Sequence, residues 1–184
     1  MRDGHRKYFK TYGLVLKRVN LGETDQIIHF LSQDQGHFSA VAKGVRKLSS
    51  KKLGSLEPGS LVEAYFVSTK GLPVLTQLGR KKQAVDVSLL DLKQLKLLFQ
   101  LLEVFERLFV AESLDQTSFE LVLKLRQTAL EPNPRRLSIK RDLANLIAHL
   151  GFVHPKQTEF KSLSAYIESL TEKELKSARF LTIN

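Results

Sequence analysis

The sequence predicts an α+β protein in which a five-stranded β-domain, residues 1–82, precedes an α-helical domain, residues 83–184. Two observations lead to this prediction. Up to Lys82 the apolar residues alternate or form short β-branched runs that glycine and proline interrupt, as in small antiparallel sheets. After Lys82 the apolar residues recur with the helical period instead.

The β-domain is predicted to have five strands, at residues 11–20, 25–33, 36–45, 60–69 and 72–79. The link QDQG (33–36) is short enough for a hairpin, and its Gly36 can take a positive φ. Because a flat sheet of short strands leaves its edges open, closure into a barrel is favoured, and the five-stranded OB-fold is a common solution. An open sheet or an SH3-like barrel fits the alternation nearly as well.

The carboxyl half is predicted to form a small bundle of four helices. They are residues 88–110 with Ser88 as the N-cap, 117–130 ending at the prolines of EPNP, 135–150 ending at Gly151, and a short helix signalled by Thr171 and Glu174. The first helix is apolar over more than half of its circumference, which predicts that other helices bury it.

The charge of the chain is concentrated in its first half. The whole sequence has 29 Lys and Arg against 19 Asp and Glu, a net charge of +10, and residues 1–82 alone have 15 against 6, or +9. Such an excess favours a polyanion or an anionic membrane surface as the partner. Because no run approaches the length of a spanning helix, we expect a cytoplasmic protein with no membrane partner. Its positive charge makes association with the nucleoid the expected location.

The sequence offers little for catalysis or for metal binding. It has no cysteine, which excludes disulfides, thiolate nucleophiles and cysteine-ligated zinc. His149 and His154 are five residues apart, not the three or four that place two ligands on one helical face. Glu23 and Asp25 flank a turn and are expected to fix it, and no Walker loop or nucleophile elbow occurs. We therefore expect no enzyme, cofactor or metal.

Basic residues cluster at or just after the ends of three of the predicted strands. They are Lys17 and Arg18 in the first, Lys43, Arg46, Lys47, Lys51 and Lys52 after the third, and Arg80, Lys81 and Lys82 after the fifth. Small neighbours such as Gly44 and Ser49 leave room for a phosphate, and several such cations together give salt-sensitive, sequence-independent affinity. A solvated loop whose lysines serve solubility is an equally good interpretation of the charge alone.

Aromatic residues could add base stacking to such a charged surface. Phe30, Phe38 and Phe66 are in phase with apolar neighbours and are expected in the core. The remaining candidates for base stacking are Tyr8, Tyr12 and Tyr65.

Four short motifs between residues 13 and 58 give a resemblance to a known family. They are the opening G-x-V-L-K, the turn G-E-x-D, the segment A-K-G-x-R and the link L-E-P, in this order. Residues 10 to 80 thereby resemble the amino-terminal domain of RecO, the bacterial recombination mediator, and LIAHLGF (146–152) resembles a helix end in the carboxyl half of that family.

The resemblance implies an OB-fold followed by a helical domain. It also implies a protein that binds single- and double-stranded DNA, anneals complementary strands, and works with RecR and the single-stranded DNA-binding protein to load RecA. Lys43, Arg46 and Lys47 match the DNA-facing segment of the family, and Lys51 and Lys52 extend its charge.

Two departures from the family pattern are visible in the carboxyl half. Many members have a four-cysteine zinc module, which this chain cannot form, and the sequence is short after Gly151. The candidates for binding the acidic tail of the single-stranded DNA-binding protein are Arg126, Arg135, Arg136, Lys140 and Arg141. Two other functions remain open at this stage, a scaffold for acidic partner segments and an RNA-binding OB protein.

Overall fold

The computed structural model describes residues 7–46, 53–109, 112–172 and 175, without the side chains of Leu53, Lys81 and Lys82. The chain divides into two compact units, residues 1–86 with 109–113, and residues 87–108 with 114–184. The first unit is built from strands and the second from helices, which confirms the predicted α+β class.

The first unit is a closed five-stranded barrel. Its strands are β1 (Tyr8–Leu21), β2 (Asp25–Ser32), β3 (Gly36–Ala42), β4 (Leu61–Val67) and β5 (Val74–Gln83). Their order around the barrel is β1-β2-β3-β5-β4, antiparallel except for the parallel contact of β3 with β5. The predicted hairpin between β2 and β3 is confirmed, and Gly36 has a φ of 65°.

Phenylalanine rings fill the barrel. Phe30 and Phe66 are almost fully buried, and Phe9 and Phe38 pack against them. The ring centroids of Phe9 and Phe66 are 5.1 Å apart, and Phe38 meets Phe66 edge-on at 5.3 Å. Because alternate residues of a strand point to opposite sides, this inward set leaves the intervening residues of the same strands on the outer surface.

The third strand is shorter than predicted. It ends at Ala42 instead of residue 45, and residues 43–46 form a turn. Val45 in this turn and Leu56 further along the chain are both fully buried in the barrel core. The segment between β3 and β4 therefore has two apolar anchors, one on each side of residues 47–52.

The described residues of the second unit form four α-helices. They are α1 (Leu92–Leu108), α2 (Gln116–Leu130), α3 (Arg136–His149) and α4 (Leu163–Thr171). In the described part of the unit, α2 packs against α1 and α3, and α4 contacts α1. Among the described residues, no helix is long and apolar enough to cross a membrane.

Two predicted helix starts are wrong. Ser88 lies in a short 3₁₀ turn, and α1 begins four residues later, where the side chains of Asp91 and Gln94 each accept the other's backbone N–H at 2.8 Å. Thr171 ends α4 instead of starting a helix, and Glu172 follows it in the left-handed conformation. Glu174 lies outside the described residues. Gly151 has a φ of 88° after α3, as predicted.

Candidate nucleic-acid interface

Two turns of the barrel are hydrogen-bonded to each other at the end of the β1–β2 hairpin. A carboxylate oxygen of Asp25 accepts the backbone N–H of Gly44 at 2.7 Å and the hydroxyl of Thr24 at 2.9 Å. The backbone N–H of Arg46 donates to the Thr24 carbonyl at 3.0 Å, and its guanidinium donates to the Gly22 carbonyl at 3.2 Å. The turn after β3 is thus fixed to the turn between β1 and β2.

Glycine is required at the corners of both turns. Gly22 and Gly44 each have a φ of 63°, which is strained for a residue with a side chain. The G-E-x-D and A-K-G-x-R motifs therefore form the two sides of one contact. Asp25 was expected to fix the turn that it flanks, between β1 and β2, but it fixes the turn at residues 43–46. Lys43 is exposed in that second turn.

The far end of the same segment is tied to the barrel by an ion pair. Arg18 of β1 donates to the carboxylate of Glu57 at 2.5 Å, and the two side chains are only 18% and 22% exposed. Because this pair is mostly buried and Glu57 neutralises its charge, Arg18 is a structural residue with little access to a phosphate. The segment from Lys43 to Glu57, hereafter the basic loop, is thus held at both ends.

The other predicted basic residues do not all gather at the basic loop. Lys47, Lys51 and Lys52 belong to it by sequence but lie outside the described residues. Lys17 is exposed on β1 opposite His29. Arg80 is exposed on β5, six residues beyond Val74, where β5 meets β3. Six strand residues span about 20 Å, so Arg80 lies well beyond the contact between Val41 and Val74.

The described part of the basic loop presents two exposed cations, Lys43 and Arg46. Lys43 and Arg46 stand on a backbone that glycine corners and hydrogen bonds hold in place. A guanidinium has five N–H donors, and the bond to Gly22 uses one of them. Lysine and arginine are the side chains that most often contact nucleic-acid phosphates, and such contacts do not depend on the base sequence.

The three predicted stacking residues share one surface. Tyr8 and Tyr12 lie on β1 and Tyr65 on the neighbouring β4, and all three point away from the barrel core. Sequence reasoning missed the charged residues among them, Lys10 and Glu63. The sequence could have indicated Lys10, because it is two residues from both Tyr8 and Tyr12 and so lies on the same face of the strand.

The second unit has a cavity of about 480 Å³ near the start of α3. It combines apolar and cationic side chains, and its lining includes Leu137, Ala144, Leu163, Lys140, Arg141 and Lys156. Of the five predicted tail-binding residues, only Lys140 and Arg141 line it. Arg135 precedes α3 and Arg136 is its first residue, and both are exposed outside the cavity lining. Arg126 is buried at 3% exposure, which removes it from an external binding surface.

Arg141 also belongs to an ion cluster beside this cavity. The buried carboxylate of Asp142 is 3.2 Å from the Arg141 guanidinium and 2.8 Å from the Lys124 ammonium. Burial raises the pKa of Asp142, but the hydrogen bonds from Lys124 and Arg141 more than offset it and leave the pKa below its usual range. Arg141 therefore lines the cavity with part of its charge offset by Asp142.

The barrel matches a known family. Residues 6–81 match the model of "Recombination protein O N terminal". Among curated proteins, a DNA repair protein RecO from Frankia casuarinae is 32% identical over 146 residues, which cover 78% of this chain and 60% of that protein. The alignment therefore continues past the barrel into the helical unit.

Other relatives match over a shorter part of the chain. The DNA repair protein RecO of Streptomyces avermitilis is 43% identical over 75 residues, and that of Cutibacterium acnes 38% over 69 residues. Each alignment covers 38% of this chain, and 30% and 28% of the respective relative. The matched part of this chain thus spans about a third to three fifths of these relatives' length.

Proposed function

Since residues 6–81 of this chain belong to the RecO amino-terminal domain family, we propose that the protein acts in DNA repair and recombination as a DNA-binding and strand-annealing factor. The observation that carries the proposal is the described start of the basic loop, where Lys43 and Arg46 stand on a turn bonded to the β1–β2 hairpin. The function requires no covalent step, and we assign no catalytic residue.

Binding would begin with the phosphates. Lys43, Arg46 and Lys47 neutralise phosphate charge, and the release of condensed counterions supplies affinity that does not depend on sequence. The same contacts serve single and double strands. Two complementary strands repel each other, and a surface that screens their phosphates lets them approach closely enough to pair. Annealing then follows from the pairing energy of the bases.

The proposed site is tested with the triple variant Lys43→Ala/Arg46→Ala/Lys47→Ala. At low salt we expect a loss of about tenfold or more in affinity for an oligonucleotide, and slower annealing of complementary strands. A matched control removes three exposed lysines elsewhere, Lys70, Lys93 and Lys161. Fluorescence anisotropy and a strand-pairing assay measure both effects. If the loop variant binds and anneals like the control, the basic loop is not the site.

We further propose that the helical unit binds protein partners, which would link the protein to RecR and to the loading of RecA. The cavity beside α3 supports this role because it places apolar side chains next to Lys140 and Arg141. An acidic peptide with an apolar end, such as the tail of a single-stranded DNA-binding protein, has the complementary chemistry.

The tail proposal is tested with a labelled acidic peptide. Lys140→Ala/Arg141→Ala is expected to weaken binding about tenfold, since two charge contacts are lost. Arg135→Ala/Arg136→Ala removes the same charge from the same helix outside the cavity and is expected to bind normally. If both variants weaken binding equally, the loss reflects the lower positive charge of the protein, and the cavity is not the binding site. A scaffold function without DNA binding predicts that the peptide binds and oligonucleotides do not.

Polymer identity is a separate question, because phosphate contacts do not distinguish DNA from RNA. We propose DNA on the strength of the family. Competition between DNA and RNA strands of equal length and sequence tests this choice. A clear preference for RNA would favour the alternative of an RNA-binding OB protein.

A further inference from the structure

A row of tyrosines and one lysine occupies the outer face of β1 and β4, separate from the basic loop. On β1, Tyr8, Lys10 and Tyr12 point outward, while Phe9 packs against the core and Thr11 is 3% exposed. We call Tyr8, Lys10, Tyr12 and Tyr65 the tyrosine strip. Tyr8 is 69% exposed, so a large ring is left in water at one end of it.

The strand register brings these side chains together. Lys10 lies directly opposite Tyr65, and Tyr12 opposite Glu63. Residues two apart on a strand are about 6.8 Å apart along it, and opposite residues about 5 Å apart across it. Tyr65 is therefore next to Lys10 and diagonal to both Tyr8 and Tyr12. The Lys10 ammonium is 5.5 Å from the Tyr65 ring centre.

We propose that the tyrosine strip binds the unpaired bases of single-stranded DNA, with the tyrosine rings stacking on bases and Lys10 contacting a phosphate between them. Tyr8 and Tyr12 are about 13 Å apart along the strand, which leaves room for a base at each ring and a phosphate near Lys10. Stacking needs exposed base faces, which a duplex does not offer. The strip therefore distinguishes single from double strands, whereas the basic loop does not.

Glu63 limits the strength of this site. One of its carboxylate oxygens is 2.8 Å from the Lys10 ammonium, and the other accepts the Tyr65 hydroxyl at 3.4 Å. Glu63 lies over Gly79 of β5, where a Cβ would come within 2.1 Å of its carboxylate. Its hydrogen bond raises the pKa of Lys10. A phosphate approaching Lys10 must compete with this carboxylate, so Glu63 weakens the site.

The inference rests on the proposed function for the identity of the polymer. The location of the tyrosine strip and its way of binding bases are independent of the basic loop. Rings and one neutralised lysine make a surface with little net charge. Glu63 opposes an acidic peptide as it opposes a phosphate, but the peptide would gain little from stacking on the rings. Base faces match the rings better than any charged partner does.

The test compares three ligands of one length: single-stranded oligothymidylate, a duplex, and a single strand with abasic sites. We expect Tyr8→Ala/Tyr12→Ala/Tyr65→Ala to lose about tenfold in affinity for oligothymidylate, and less than twofold for the duplex and the abasic strand. The corresponding triple Phe variant keeps the rings and should bind like the parent. Glu63→Gln should bind oligothymidylate more tightly than the parent, whereas the triple Ala variant binds it more weakly.

Intrinsic fluorescence gives a second readout. The chain has four tyrosines and no tryptophan, and the fourth, Tyr166, is buried with its hydroxyl bonded to the Val153 carbonyl. Tyrosine emission therefore reports mainly on the strip, and stacking should quench it with oligothymidylate but not with the abasic strand. Tyr8→Ala alone removes the most exposed ring without changing the core. This single variant keeps the proposal testable if the triple variant does not fold.

Several results would overturn the proposal. The strip is not a base-binding site if the triple Ala variant binds oligothymidylate like the parent, or if it loses the duplex and the abasic strand equally. Capture of an acidic peptide by the strip, with unchanged oligothymidylate binding in the variants, would assign it to a protein partner instead. If the loop variant Lys43→Ala/Arg46→Ala/Lys47→Ala binds normally while the tyrosine variants fail, the proposed loop site falls and the strip stands. If the loop variant fails while the tyrosine variants bind normally, the strip is not a binding site and the loop site stands.

Discussion

Phe66→Ala is expected to lower the free energy of unfolding of the barrel by about 3–5 kcal/mol. Phe66 is 2% exposed and lies at the centre of the ring cluster, in contact with Phe9, Phe30 and Phe38. Removing its ring leaves a cavity that three other rings line and that the closed sheet cannot easily collapse. Chemical denaturation followed by far-UV circular dichroism measures the loss.

The adjacent residue provides the control. Tyr65 is as large as Phe66 but points to the outer face, where it contacts Lys10 and Glu63. Tyr65→Ala is expected to cost about 1 kcal/mol or less, because it opens no cavity. Similar losses for the two variants would contradict the assignment of inward and outward faces on β4, and with it the location of the tyrosine strip.

Gly13→Ala is expected to cost about 3 kcal/mol, which is large for a single methyl group. Gly13 lies between Ser32 of β2 and Val62 of β4. A Cβ there would lie 2.4 Å from the backbone oxygen of Leu31 and 2.7 Å from the ring of Phe30. The carbonyl cannot move without shifting β2, so the strain falls on the barrel itself. Thermal unfolding of the variant gives the measurement.

A second glycine separates this packing effect from a general effect of glycine. Gly71 lies in the turn between β4 and β5, and a Cβ there would meet no atom within 4 Å. Gly71→Ala is expected to leave stability unchanged or raise it slightly, since it restricts only the unfolded chain. If Gly13→Ala were as harmless as Gly71→Ala, the close approach of β1 to β2 would be wrong.

The strands were predictable because a barrel wall has one inner and one outer face, which imposes alternation on every strand. The order of strands in the closed barrel agrees with the OB-fold expected from their number and length. Helix ends were less predictable. Ser88 and Asp91 can both cap a helix, and the choice of Asp91 depends on its reciprocal bonds with Gln94, whose amide also reaches the carbonyls of Leu130 and Glu131.

The site was only partly predictable, because its contacts join distant parts of the chain. Sequence patterns group Lys43 with Arg46 correctly. They cannot show that Glu57 forms an ion pair with Arg18, or that the Asp25 carboxylate accepts a hydrogen bond from Gly44. Those contacts depend on strand register. Tyr65 likewise joins the surface of Tyr8 and Tyr12 only because the barrel closes through β1 and β4. The helix α4 escaped prediction because its nine residues give few turns in which a period can be seen.

The measurement that tests the proposed DNA-binding surface most directly is a DNA titration across a salt series with the parent chain and the variant Lys43→Ala/Arg46→Ala/Lys47→Ala. The slope of log K against log salt counts the phosphates engaged, at about 0.7 to 0.9 for each. We predict a slope shallower by about 2 to 3 in the variant, and an unchanged slope in the control that lacks Lys70, Lys93 and Lys161. Parallel lines for the parent and the loop variant would contradict the basic loop as the phosphate-binding surface.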